Sequence, residues 1–204
     1  MVVELKSWIF KLDVPTDSET DAHRTLVNWL RKRELSHLFD ADNKSIGYVI
    51  QHEGNKSVLI ARSSKEILDP IVQESSTVVD ISKEQTIAIL VPSSKLVRPP
   101  KLKYEVSKSK RTKNYVRQRT QDELRAIGVD LAAECGLSES MNILDIIQAR
   151  GIEIYHKQQQ LRIEESAALL LMRGVIQDQD RFIHAWENGV GSKRVYGFGM
   201  VRVL

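Results

Sequence analysis

Four of the chain's ten glycines fall within eleven residues near its end, in the run Asn188-Gly189-Val190-Gly191-Ser192-Lys193-Arg194-Val195-Tyr196-Gly197-Phe198-Gly199. Glycine lets backbone N–H groups approach a bulky anion because no Cβ intervenes, and Lys193 and Arg194 add charge at the same place. One reading is therefore a cradle for a phosphate-bearing ligand. The other is local, with Gly189 capping a helix and the remaining glycines shaping a turn and a strand. The five histidines, His23, His37, His52, His156 and His184, include no pair at i, i+4 spacing and no Cys/His cluster, so metal-ligand spacing is missing. Cys135 is the single cysteine. It lies in an apolar helical run, where a buried inert thiol is expected, and neither redox chemistry, a structural zinc nor a cofactor is indicated.

Charge is polarised along the chain. From Lys95 to Arg119 there are ten Lys or Arg against Glu105, a net +9, which leaves 20 basic and 26 acidic residues, or −6, elsewhere. A clustered basic segment gains from counterion release when it neutralises phosphates, so a polyanionic partner is expected; a solvated basic loop is the alternative. Lys108, Lys110, Arg111, Lys113, Arg117 and Arg119 are the candidates for such contacts. No Walker-type Gly-x-x-x-x-Gly-Lys-Ser/Thr run occurs, and the glycine stretch precedes a strand-like segment where a phosphate loop would precede a helix. Nucleotide hydrolysis is not expected. Cations and isolated histidines without a metal site suit RNA as a substrate. Its 2′-hydroxyl is an internal nucleophile, so cleavage needs only an oriented acid/base and positive charge for the developing phosphorane.

The elements that must position these groups follow from periodicity. Residues 2 to 12 alternate as a strand, and a helix follows to about Arg33 with Ala22, Leu26, Trp29 and Leu30 on one stripe. His23 falls on the flank of that stripe, a place that suits a catalytic imidazole and equally an ordinary boundary residue. Two strands at about Ile46 to His52 and Ser57 to Arg62 flank a Gly54-Asn55 turn. Ser63-x-x-Glu66 has the form of a capping box, which predicts a short helix before Pro70, and a strand is expected at about Ser76 to Ile81. The same β-α-β-β-α-β order then recurs. It comprises a strand at Gln85 to Val91, a helix from the capping box Thr120-x-x-Glu123 to a stop at Gly136, two strands around a polar tip at Lys157 to Gln160, a helix at Asp178 to Asn188, and a last strand at Val195 to Val203. The fold expected is α+β: two tandem ferredoxin-like (RRM-like) βαββαβ domains, residues 1–82 and 83–204, the second carrying the basic segment 95–119 and the glycine-rich loop. No apolar run is long enough for a membrane span and the first residues lack a signal pattern, so no membrane partner and a cytoplasmic location are expected.

Tyr196 to Val203 matches the RNA-recognition signature at Gly197, Gly199, Phe198 and Val201 but lacks its leading cation and later aromatics. A closer likeness lies in Arg173-Gly174-Val175-Ile176, the short helix after it, Asn188-Gly189-Val190-Gly191, Lys193, and Tyr196-Gly197-Phe198-Gly199-Met200. This end of the chain resembles the glycine-rich signature of the CRISPR repeat-processing endoribonucleases, in particular the CasE family of type I-E, which also has two ferredoxin-like domains in about this length. The resemblance implies metal-independent cleavage at the base of a repeat stem-loop, leaving a 2′,3′-cyclic phosphate, with the hairpin then retained in an effector complex with other subunits. It implies that His23, followed by Leu26, Val27 and Trp29, is the general acid/base. The family often carries a tyrosine three residues before that histidine, where Thr20 stands here. That departure puts tyrosine-assisted activation in doubt and leaves open a non-catalytic RNA-binding subunit. Besides the basic segment, Arg24, Lys157, Arg162, Gly189, Gly191, Lys193, Arg194, Gly197 and Gly199 are the RNA-binding candidates. A plain protein-interaction module is the remaining alternative.

Overall fold

In the computed structural model of this chain, residues 1–15, 19–39, 45–53, 56–97, 115–156, 161–191 and 198–204 are described. Two four-stranded antiparallel sheets are joined in sequence by the turn at residues 81–83. The first holds β1 (Val2–Val14), β2 (Ile46–Glu53), β3 (Lys56–Ser63) and β4 (Gln73–Asp80) in the order β2-β3-β1-β4. The second holds β5 (Glu84–Pro92), β8 (Asn142–His156), β9 (Leu161–Val175) and β10 (Arg202–Val203) in the order β10-β5-β9-β8. Both place the fourth strand of the unit beside the first and the third beside the second. This is the split β-α-β arrangement expected from the sequence. A two-stranded ribbon of β6 (Ser94–Val97) and β7 (Tyr115–Gln118) is inserted after β5.

β1 changes the face it buries along its length. Val3, Leu5 and Ser7 are buried, and then Phe10 and Val14. The odd residues Val3 and Leu5 join the core of the second half, whereas Phe10 and Val14 lie under α1 (Glu19–Arg31). Side chains alternate across a strand, so a strand with different neighbours on its two faces must shift phase where the cover changes. The stripe Ala22, Leu26, Trp29 and Leu30 of α1 is buried as periodicity predicts, and the Trp29 ring stacks on Phe10 at 4.4 Å.

Two expected elements differ. Ser63 ends β3, fully buried, and its hydroxyl accepts the Lys65 N–H at 3.0 Å. With the Ser63 backbone engaged in the strand ladder and Pro70 close behind, residues 64–72 form a bend, irregular backbone and a turn at 70–71 in place of a helix. Asp69 anchors that segment by an ion pair to Arg33. Of the last strand expected at Val195 to Val203, residues 195–197 lie outside the described residues; among the described ones only Arg202–Val203 are strand, and Phe198 and Gly199 form a turn whose Gly199 N–H donates to Leu90 O at 2.9 Å.

The capping box at Thr120 does open α2 (Gln121–Glu134), with Glu123 N–H donating to Thr120 Oγ1 at 3.2 Å and Thr120 N–H donating to Glu123 Oε2 at 2.9 Å. Asp178 caps α3 (Gln179–Asn188), which buries Phe182, Ala185 and Trp186. Cys135 is buried, and desolvation, with Glu134 nearby, pushes its thiol up to about 12. Among the described residues no helix is long and apolar enough to cross a membrane.

Candidate functional site

His23 sits one residue after the buried Ala22 on α1 and is half-buried, its ring 5.5 Å from that of Phe39 and tilted by 48°. The helix holds one edge of the imidazole against the protein, as its flank position predicts. Its helix packs on the first sheet and also lies against β8 of the second, so the two halves meet at α1. Arg24, the next residue, is largely exposed and pairs with Asp21 at 3.4 Å. Thr20 lies in the first turn of α1.

The second half gathers another group of the nominated residues. Arg119, Gly191 and Gly199 line a hollow of about 220 Å³ together with Asp130 and Glu134. Gly189 and Gly191 also border a broader groove between α2 and α3, of about 870 Å³, with Arg181 and His184. His23, Arg24 and Arg117 border neither. Gly189 has φ 69° and ends α3, its N–H donating to Ala185 O at 2.9 Å. Gly191 N–H donates to Glu134 Oε2 at 3.0 Å, and Gly199 N–H donates to Leu90 O. Each of these three N–H groups therefore already has an acceptor inside the protein, a carboxylate in the case of Gly191. Their local role is to fold the chain back between α3 and β5, which is the second of the two readings of the glycine run.

Arg117 and Arg119 stand at the base of the ribbon. Arg117 makes a bidentate pair with Glu123 at 2.7 and 2.8 Å, and Lys95, across the ribbon on β6, pairs with the same carboxylate. The Arg117, Lys95 and Thr120 donors hold the Glu123 carboxyl far below the usual carboxylate range. Arg119 N–H donates to Ser93 O at 2.7 Å, while its side-chain Nε is buried without a partner.

Lys108, Lys110, Arg111, Lys113, Lys157, Lys193, Arg194 and Gly197 lie outside the described residues, as do most of the basic segment (98–114) and the tip 157–160. Arg162 stands in β9, in register with Tyr155 of β8, so the β8 and β9 strands do form a hairpin around that tip. Glu123, marked in the sequence only as a cap, also gathers Lys95 and Arg117. Two further side chains, Glu134, which receives Gly191, and Arg62, have no signal in their sequence neighbourhoods, because their partners are 57 or more residues away.

No family model matches this chain, and no curated protein does. Solved structures share its fold over almost the whole length. Cse3 of Thermus thermophilus bound to an RNA representing a pre-cleavage complex superposes with a TM-score of 0.56 at 14% identity, covering 98% of this chain and 99% of that one. The CRISPR-associated protein Cas6e from Escherichia coli K-12 gives 0.57 at 11% identity, covering 96% and 98%. A chain of a CRISPR RNA-guided surveillance complex gives 0.57 at 17% identity, again covering 96% and 98%. At such identities the likeness establishes the tandem ferredoxin-like fold.

Proposed function

We propose that this chain is a CasE-type endoribonuclease that cleaves CRISPR precursor RNA at the base of a repeat stem-loop and then holds the hairpin as a subunit of a cytoplasmic effector complex. The observation that carries this reading is the fold shared end to end with CRISPR endoribonuclease Cse3 bound to RNA, together with a half-buried histidine on the helix where the sequence resemblance expects one. The 2′-oxygen attacks the adjacent phosphorus, the P–O5′ bond breaks, and the products are a 2′,3′-cyclic phosphate and a 5′-hydroxyl. His23 moves a proton in this step, either off the 2′-hydroxyl or onto the departing 5′-oxygen. No metal enters the scheme. The cations of the basic segment and Arg119 face the A-form stem through its phosphates, and the glycine run serves as a compact backbone platform beside it.

The test is single-turnover cleavage of a labelled repeat hairpin in EDTA. The wild-type protein is expected to give the cyclic-phosphate product, a 2′-deoxy substitution at the scissile nucleotide to abolish it, and His23→Ala to slow it by about 10²- to 10⁴-fold. Absence of that product, or cleavage by His23→Ala at the wild-type rate, removes the assignment. Thr20 at the position of the family's tyrosine favours a second reading, a non-catalytic RNA-binding subunit, which tight hairpin binding without any cleavage would select.

A further inference from the structure

The two halves share one apolar core. Val3, Leu5 and Val79 of the first sheet and Ile81 of the turn after it are buried in the same cluster as Ile87, Phe182, Trp186 and Val201 of the second half. Burial of this kind is non-directional and holds surfaces together without fixing the angle between them. At one place the contact is directional. Arg62 on β3 donates from Nη1 to Val201 O at 2.7 Å and from Nη2 to Trp186 O at 2.8 Å, and its guanidinium carbon lies 3.7 Å from the centroid of the Trp186 ring. The register partner of Arg62 on β2 is Gly47, where an added Cβ would come within 3.1 Å of the Met200 side chain. The β2–β3 pair thus presses directly on the end of α3 and on residues 198–201.

No carboxylate among the described residues pairs with Arg62. The charged neighbour that acts on it is another cation, Arg202, and desolvation with that repulsion pushes the guanidinium down to about 10. It remains protonated at neutral pH. A desolvated cation without an anion is an expensive way to bind two carbonyls if cohesion alone is needed. What arginine adds is geometry, since its planar fork fixes two acceptors and its flat face fixes the indole.

The geometry points to Arg62 as a positioning residue that sets the angle between the halves and, through it, the placement of His23 against RNA held by the second half. This rests on the endoribonuclease reading. A catalytic group displaced by an ångström costs about 100-fold in rate, so the effect falls on the chemical step.

The experiment uses the full-length protein, Arg62→Gln, Arg62→Lys, and a Gly47→Cys/Met200→Cys pair in wild-type and Arg62→Gln backgrounds. An ideal Cβ at Gly47 lies 3.3 Å from Met200 Cβ, close to the roughly 3.5–4.5 Å that a disulfide spans. Arg62→Gln is expected to slow single-turnover hairpin cleavage by about 10- to 100-fold with the hairpin Kd within about threefold of wild type. Arg62→Lys, with donors but no fork, should recover part of the loss. Oxidising the cysteine pair in the Arg62→Gln background should restore the rate, and reduction should remove the gain. In parallel, spin labels at the exposed Lys32 and Asp122, one on each half, should report a broader distance distribution in Arg62→Gln than in wild type. Cleavage by Arg62→Gln at the wild-type rate, joint loss of binding and cleavage, or failure of the disulfide to rescue overturns the inference. If the wild-type protein itself does not cleave, the endoribonuclease reading fails and the label distances decide alone, an unbroadened distribution refuting the role of Arg62.

Discussion

Glu123 accepts hydrogen bonds from Lys95, Arg117 and the Thr120 backbone N–H, and these hold its carboxyl far below the usual value of 4.5. A carboxylate with a depressed pKa contributes stability that is fully present above its unfolded value and is lost as pH falls through the folded one. The contribution of Glu123 is therefore intact at neutral pH and declines from about pH 5 downward. Glu123→Gln should melt below wild type at pH 7, and the gap between the two Tm values should close on acidification. A gap that stays constant with pH would mean that the ion-pair cluster is not the cause. Asp80, lowered to about 2 chiefly by the Ser82 hydroxyl and N–H, titrates in the same window in both proteins and cancels from the comparison. Glycine positions separate just as clearly. Gly136 has φ 68°, and a Cβ there would lie 2.4 Å from the Asp178 carbonyl oxygen, whereas at Gly47 the nearest atoms are side-chain atoms of Met200 at 3.1–3.3 Å. Gly136→Ala should cost more than about 1 kcal/mol in urea denaturation and exceed the cost of Gly47→Ala. The reverse order would contradict the packing at the α2 terminus.

The ribbon is the element through which the basic segment joins the body. Lys95 on β6 and Arg117 on β7 both close on Glu123 at the start of α2, so the capping box, the ribbon and the charge cluster share one carboxylate. The Glu123 carboxylate already engages these two cations, so under the proposed function the phosphate contacts would fall to Lys108, Lys110 and Arg111 further along. Replacing Lys108, Lys110 and Arg111 together should flatten the salt dependence of hairpin binding by about one unit of log–log slope per lost phosphate contact. An unchanged slope would take the segment out of the interface. Elements of this kind were legible where local chemistry alone decides. The stripe of α1 and the cap of α2 need only neighbours within a turn or two, and both stand where the sequence pattern puts them. The helix expected after Ser63 failed because a strand ladder had already claimed that residue. The final strand is present only at Arg202–Val203 among the described residues, because Gly199 answers to Leu90, more than a hundred residues away. Arg62 and Glu134 stayed invisible for the same reason, since their roles exist only once distant segments meet. Of the candidate site, the sequence located His23 on its helix flank, while the internal partners of the glycine N–H groups required the fold.

At the scale of the whole molecule the question is whether the proposed halves, 1–82 and 83–204, are independent. Each has its own sheet, and the first has a core of its own under α1, built on Phe10, Leu26, Tyr48 and Leu59. Yet the odd face of β1 carries Val3 and Leu5 into the core of the second half, where Val79 and Ile81 join them. Freed from that half, the first would expose these side chains and lose cover on one face of its sheet. At about 1.5–3 kcal/mol for each large buried apolar side chain, the shared core contributes on the order of the whole stability of a small domain. The halves should accordingly unfold together. Urea denaturation of the full chain is expected to show one transition, with amides of β3 and of β9 exchanging at the same limiting free energy. Leu5→Ala, at a site only 4% exposed, should lower both by about 2–5 kcal/mol. Two separable transitions, or a Leu5→Ala effect confined to the first sheet, would make the chain a pair of autonomous domains. The angle between the halves would then rest on the Arg62 fork with far less help from the core than the shared cluster implies.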